Sequence, residues 1–363
     1  MLLRLFWELF RISLFVVGGG YAIIAVADDV FAKRGWTKEG ELLDHLPVFQ
    51  MVPGLIATHC AVFVGRRVHG WLGAAVGVVA VALPSVVIFA FVSAGYDGLP
   101  LGNAHLKSAF VGLRAGLAGI IAATVLRGWR RSLPDGFAYA VCAAAVAALL
   151  AGVGVPWVLL AAMAAGLAGV FGAREPSGTR LCCAGWLPLL LFLKYGALCF
   201  GGGFVLVPMY IEDFVGPSAP FLQVTAEEFA NLMSLTQMTP GPIGVNGATY
   251  FGFRIAGVAG AVAASAALLL PGSVLVYAAL ESLARFRASR AVRGVMRGVR
   301  PASVALMLVA LWAFAGMSVV GPGGVNAAGA AVAAMSVAAM LSRRLNVVVL
   351  VVLSALLGIL LRA

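Results

Sequence analysis

Gln237-Met-Thr-Pro-Gly-Pro-Ile-Gly-Val-Asn246 puts two prolines and two glycines inside an apolar run, and the chain repeats the device. Gln50-Met-Val-Pro-Gly-Leu-Ile-Ala-Thr-His59 stands 187 positions earlier. Laid over one another without a gap, residues 50–84 and 237–271 agree at 14 of 35 positions. Roughly one in ten would agree by chance in so apolar a composition. The identities include Pro53/Pro240, Gly54/Gly241, Gly65/Gly252, Arg67/Arg254, Gly70/Gly257 and Pro84/Pro271. Proline and glycine break a helix. A broken helix inside a bilayer is tolerated only where protein or a water-filled site covers its backbone.

The surroundings are those of a membrane protein. The 363 residues are 62% hydrophobic and 11% charged, with mean hydropathy +1.04; a soluble domain carries about 25% charged residues. The expected fold class is an all-α polytopic integral membrane protein, with room for roughly ten to thirteen spans of about 20 residues. Met1–Phe10 carries Arg4 and Glu8 and lacks a small-residue cleavage site, which predicts a retained first helix and not a signal peptide. The net charge of +11 comes from arginines beside apolar runs. That is the positive-inside pattern and not a nucleic-acid surface. Cys60, Cys142, Cys182, Cys183 and Cys199 form neither CxxC nor metal spacing, so no disulfide framework is expected.

Two further landmarks repeat in the same order. Gly18-Gly19-Gly20 matches Gly201-Gly202-Gly203 at a shift of 183, and Gly112-Leu-Arg114 matches Gly298-Val-Arg300 at 186. The chain therefore reads as two homologous halves, 1–172 and 185–363, joined by a polar linker over 173–184. If each Pro-Gly region spanned, the arginine clusters of the two halves would fall out of phase. If each is a re-entrant hairpin, its arms of about ten residues reach roughly 15 Å, half a bilayer. Each half then has five to six spans, the count of true crossings is odd, and the repeat is inverted. Lys33, Arg34, Lys38, Arg66, Arg67, the Arg127 group, Arg174, Arg180 and the run from Arg285 to Arg300 then share one side, the cytoplasmic one.

The chemistry starts from absences. The sequence has no HExxH, no GxSxG and no phosphate-binding P-loop. It reads as neither an enzyme nor an ATP-driven pump, with no cofactor and no metal. No carboxylate falls in the middle of a span, which points from cation cargo towards an anion. A helix restarted after Pro-Gly presents unpaired N–H groups and a positive dipole end. Leu55–His59 and Pro242–Asn246 are such starts, following Pro53-Gly54 and Pro240-Gly241. Thr58, His59, Thr239 and Asn246 add hydrogen-bonding groups, and Gln50 and Gln237 offer amides from the other arm. His59 reads as a hydrogen-bonding group rather than a proton carrier. Gly18, Gly19, Gly20, Gly201, Gly202 and Gly203 suit either close approach of backbone to a ligand or tight helix packing. Arg114 and Arg300 are either anion ligands or arginines snorkelling to the interface.

The paired glycine-rich segments, Val16–Gly20 and Cys199–Gly203, and the paired Gln-x-x-Pro-Gly motif, Gln50–Gly54 and Gln237–Gly241, resemble the chromate ion transporter family in its two-domain form. The resemblance covers essentially the whole chain. In the first half it departs from the family pattern at Leu55, where proline is preferred, and at Gly20. It implies a multi-pass carrier of a bacterial cytoplasmic (inner) membrane that moves chromate outward, with sulfate as the tetrahedral look-alike and a homodimer as a further partnership. A sulfate importer or exchanger, a non-transporting membrane subunit and a passive anion channel stay open as alternatives.

Overall fold

In a computed structural model of the chain the described residues are 1–15, 20–96, 98, 103–171, 187–200, 203–216, 219, 221–281, 289–321, 324–342 and 347–361. The first half holds α1 (Leu2–Phe15), α2 (Gly20–Lys33), α3 (Glu41–Met51), α4 (Ile56–Tyr96), α5 (Ala104–Ser132), α6 (Gly136–Leu150) and α7 (Val155–Phe171). The second holds α8 (Leu187–Leu198), a 3-10 turn (Gly203–Val205), α9 (Leu206–Phe214), α10 (Ala226–Met238), α11 (Ile243–Glu281) and α12 (Arg290–Ser318). A ribbon of two-residue strands (Val320–Gly321, Gly324–Val325) then leads to α13 (Ala327–Ser342) and α14 (Val347–Leu360). Among the described residues α4, α5, α11 and α12 contain stretches long and apolar enough to cross a membrane, and α6, α7, α8, α13 and α14 are shorter apolar helices. Phe91, Leu270 and Trp312 are 76%, 56% and 77% exposed, so the molecule presents an outward apolar surface. The chain is a multi-pass membrane protein.

The two long helices are each two arms. α4 reverses at His69–Gly70 and α11 at Ala256–Gly257, where Gly70 and Gly257 take φ +58° and +59°. A side chain in that region costs about 1–2 kcal/mol. The arms then pack backbone to backbone. A methyl on Gly65 would overlap the Gly73 carbonyl, and one on Gly252 the Gly260 carbonyl. Deeper in α11, Thr249 and Ser265 bond across the arms at 2.8 Å.

The Pro-Gly regions are hairpins too. α3 lies antiparallel to the first arm of α4, with the rings of His45 and Phe63 4.6 Å apart and those of Phe49 and His59 6.4 Å apart. α10 lies likewise on the first arm of α11, through Phe229 and Phe251 and a 2.6 Å bond from Tyr250 Oη to Glu228. The 11 and 13 residues of α3 and α10 rise about 16–20 Å, half of the roughly 30 Å hydrocarbon layer. The re-entrant reading of the motif is the observed one.

The structure differs from the sequence reading at the glycine triplets. The apolar run Leu5–Ala27 reads in the sequence as one continuous span, yet α1 and α2 are two separate helices packed on one another. Glu8 in α1 pairs with Arg34, which directly follows α2, and collinear helices would hold these residues far apart. In the second half α8 and α9 stack antiparallel, with the Phe192–Phe214 rings 6.0 Å and the Tyr195–Tyr210 rings 5.2 Å apart. Two half-length apolar arms add up to one span's length, so length alone cannot separate the two. Among the described residues each half therefore holds two folded hairpins, followed by the second arm of its long helix and three further helices.

The halves are inverted. Arg66 donates to the Tyr277 carbonyl at 3.1 Å and lies over its ring, while Tyr96 meets Tyr250 at 6.1 Å. The second arms of α4 and α11 thus run antiparallel between two ends. The basic end carries Arg34, Lys38, Arg66, Arg67 and Arg297. There Asp135 caps α6 through Ala138 N–H and binds Arg297 at 2.8 Å; these contacts hold its carboxyl below the usual range. The opposite end carries Tyr96, Glu228 and Arg254. The repeat-related ion pairs Glu41–Arg67 and Glu228–Arg254 sit at different ends. Residues 172–186, which join α7 to α8, lie outside the described residues.

Two tests follow from this geometry. In a background without the native cysteines, Lys38→Cys and Thr225→Cys are repeat-mates, and a membrane-impermeant maleimide will label them from opposite faces. Gly260→Val will lower the detergent unfolding temperature more than Gly257→Ala, because only the first drives a side chain into the facing backbone.

Candidate functional site

The tips of the two Pro-Gly hairpins meet the opposite half's long arm. Gly54 takes φ +124° and Gly241 φ +99°. A Cβ on Gly54 would stand 2.8 Å from Gly272 Cα, just past Pro271 in α11. A Cβ on Gly241 would overlap Ser85 Oγ, just past Pro84 in α4, and Ser85 Oγ donates to the Pro240 carbonyl at 3.4 Å. Gly54/Gly241 and Ser85/Gly272 are both pairs at the repeat shift of 187. The crossing is therefore reciprocal. The Gly54 N–H is also taken, by the Cys199 carbonyl at 2.6 Å, beside the second glycine triplet.

Each hairpin is stapled by the same position. Both ring nitrogens of His59 face backbone carbonyls, Nδ1 to Phe49 at 2.8 Å and Nε2 to Pro53 at 3.2 Å. Asn246 donates from Nδ2 to the Thr236 carbonyl at 3.3 Å and to Thr239 Oγ1 at 3.2 Å. Phe49 and Thr236 are themselves repeat-mates. Histidine and asparagine thus play the same part, each bonding a carbonyl ten residues back across the turn. Both side chains are fully buried, and Asn246 Oδ1 has no partner among the described residues. In the structure His59 is a hydrogen-bonding group, and its neutral ring, with a single N–H, donates to one of these two carbonyls at a time.

Other motif residues are placed as follows. Thr58 Oγ1 donates to the Leu55 carbonyl at 2.7 Å and Thr239 Oγ1 to Leu235 at 2.9 Å, each within its own turn. Pro53, Pro240, Gly54, Gly241 and Pro242 form the turns. Gln50 is half-buried at the end of α3. Gln237 is helical, and its side chain lies outside the described residues, as do Gly18, Gly19, Gly201 and Gly202; Gly20 opens α2. Gly203 sits against the start of α11, where a Cβ would be 2.9 Å from Gly244 N. Arg114 is not at the tips. It is buried in α5 and binds Glu227 at 3.2 Å, which stands about 18 Å of helix back from Thr239. Arg300 is an exposed residue of α12.

The arrangement brings two helix starts together. A Cβ on Gly244, in the first turn of α11, would lie 3.1 Å from Leu55 Cδ2, the residue before α4. The first turn of a helix leaves N–H groups with no acceptor within it and carries about half a positive charge. Two such ends face each other here, and no acidic or basic residue lies in either tip sequence, 50–59 or 237–246, apart from His59. Among the described residues no His/Cys/Asp/Glu cluster has the makings of a metal site. Ser85 and Gly272 went unnoticed in the sequence. Their signal was available, since each directly follows a proline of the repeat.

Comparison with known proteins adds three findings. The family described as "Chromate transporter" matches residues 3–170 and again 186–359. A chromate transport protein of Pseudomonas aeruginosa is 31% identical over 82% of this chain and 78% of its own, and one of Cupriavidus metallidurans is 24% identical over 80% and 77%. An uncharacterised transporter of Bacillus subtilis, YwrA, is 27% identical and matches 35% of this chain with 71% of its own length. No solved structure matches.

The crossing yields a reciprocal test. Gly241→Ala will lower the unfolding temperature, and adding Ser85→Gly, which copies the Gly54–Gly272 contact, will restore it. His59→Leu leaves the carbonyl that the ring's single N–H serves without its partner, at about 1–3 kcal/mol, and His59→Asn will recover part of that loss.

Proposed function

The chain belongs to the chromate transporter family, and from that premise we propose that it carries chromate, a tetrahedral dianion, out of the cell through a site between the two hairpin tips. The observation that supports this reading most is the meeting of two restarted helices from inverted halves, Leu55–His59 and Pro242–Asn246. Backbone N–H groups and dipole ends of like sign are favoured by an anion between them, and discontinuous helices at a repeat interface are where secondary transporters hold substrate. Thr58, His59, Thr239 and Asn246 shape the tips, and the small residues Gly54, Gly241, Ser85 and Gly272 let them close.

The mechanism is alternating access. Each hairpin enters from its own end, so rocking one half against the other exposes the tips first to one side and then to the other. The end bearing Arg34, Lys38, Arg66, Arg67 and Arg297 is the cytoplasmic one by the positive-inside rule. Expelling a dianion from a negative-inside cell is favoured by about 4.6 kcal/mol at 100 mV, a gradient of about three decades. Membrane potential alone is then a sufficient driving force for efflux.

Purified protein in proteoliposomes will move labelled chromate saturably, faster when the compartment holding it is negative. Gly241→Leu will insert normally and lose at least tenfold in rate. Sulfate as competitor measures selectivity. Uptake of sulfate driven by a proton gradient, with no chromate movement, would overturn the proposal, and flux that does not saturate would indicate a channel.

A further inference from the structure

Away from the tips, the opposite end holds a cavity of about 340 Å³ lined by Tyr96, Lys107, Phe110, Thr225, Glu227 and Asn231, with Glu228 at its wall. It lies where α4 ends, α5 begins and α10 begins, at the base of the second Pro-Gly hairpin. Its charges can be counted. Glu228 is held by Tyr250 Oη at 2.6 Å and by Arg254 at 3.5 Å. Glu227 binds Arg114 at 3.2 Å. Lys107 has no carboxylate partner among the described residues. The lining itself carries Glu227, Glu228 and Lys107, and the two guanidiniums that stand behind the carboxylates bring the local sum to one positive charge. The cavity favours an anion over a cation.

Two further observations point to what that anion meets. Asn231 is 3% exposed and lines the cavity, and its Oδ1 has no partner among the described residues. Its Nδ2 lies 3.3 Å from Tyr96 Oη. Turned by 180°, the amide accepts from the Tyr96 hydroxyl and leaves its NH₂ as the unpartnered group at the cavity wall; the two amide orientations are otherwise equivalent in shape. The Arg114–Glu227 pair is also lopsided. The arginine side chain is 6% exposed and its carboxylate partner 56%. The cation is fixed behind Glu227, and its Nε is tied to the Phe110 carbonyl at 3.2 Å. The carboxylate that covers it lines the cavity and is more than half exposed.

We propose that this cavity is an oxyanion vestibule at the opposite end of the carrier, and that Glu227 is a resident stand-in for the cargo. With no oxyanion present the Glu227 carboxylate occupies Arg114. An arriving tetrahedral oxyanion displaces it, takes the guanidinium, and is held by Lys107 and the Asn231 amide. The exchange leaves no buried cation unpaired at either stage, which would cost far more than a solvated Glu227. The repeat points the same way. Arg254 and Glu228 have counterparts in Arg67 and Glu41, but the counterpart of Glu227 is Gly40, and Arg300, the counterpart of Arg114, is exposed. The vestibule therefore belongs to one end only. This inference rests on the chromate-carrier reading for its cargo.

The test is labelled-chromate binding to the detergent-purified full chain, together with proteoliposome flux measured with chromate presented at each face in turn. Glu227→Gln removes the competing charge and keeps the side chain's shape. It is expected to tighten binding about threefold to tenfold and to lower half-saturation only for chromate presented at the end bearing Glu227. Arg114→Gln and Asn231→Leu are expected to weaken it at that face, by at least tenfold for Arg114→Gln. If Glu227→Gln leaves half-saturation unchanged or raises it, or moves both faces equally, the vestibule is wrong. A wild-type protein that moves no chromate sinks the carrier reading instead. In that event, chromate binding that Glu227→Gln tightens and Arg114→Gln abolishes still supports the cavity as an oxyanion site, and binding indifferent to both variants overturns it.

Discussion

A chain that reverses inside hydrocarbon leaves backbone N–H and C=O groups that no water can reach, and each costs several kcal/mol if nothing answers it. Everything distinctive in this fold depends on how that constraint is met. At the tip of the first Pro-Gly hairpin, His59 faces the Phe49 and Pro53 carbonyls and donates to one of them, and the Gly54 N–H is taken by Cys199 from the other half. At the second tip, Asn246 reaches the Thr236 carbonyl and Ser85 reaches Pro240. Neither hairpin is satisfied by its own half alone, so each is stable only against its inverted twin.

The twins are alike in backbone and unlike in chemistry. Glycine at the tip, proline in the long arm and a small residue after it recur at one shift. The side chains that do the stapling do not: an aromatic ring with two nitrogens stands on one side and a primary amide on the other. The amide leaves its oxygen unpartnered among the described residues, and the neutral ring can donate to only one of the two carbonyls it faces. A symmetric backbone cage thus carries unequal polar linings on its two sides.

Much of this was legible in the residues. The Pro-Gly repeat, the half-bilayer length of its arms and the placing of the basic residues were enough to predict re-entrant hairpins and an inverted duplication. The glycine triplets were not enough. A 14-residue α1 and a 14-residue α2 separated by four residues have the composition of one continuous span, and only contacts such as Glu8–Arg34 show the fold-back. Ser85 and Gly272 were hidden for another reason. Their role is a contact with the other half, and hydrophobic period carries no information on which helix lies opposite. Arg114 was singled out by its repeat-mate, but its partner Glu227 has no counterpart in the first half, so the repeat that exposed the arginine concealed the pair.

The reciprocal crossing has a mechanical corollary. Each tip rests on the arm to which the other hairpin is covalently joined through its own reversal at Gly70 or Gly257. Loosening Gly54 from Gly272 therefore shifts the arm pair on which Gly241 and Ser85 are seated. The two closures behave as the ends of one lever rather than as two doors, and a lever has no position in which both ends are raised. The reciprocal seating thus couples the two tips by geometry alone, without a separate lock at either end.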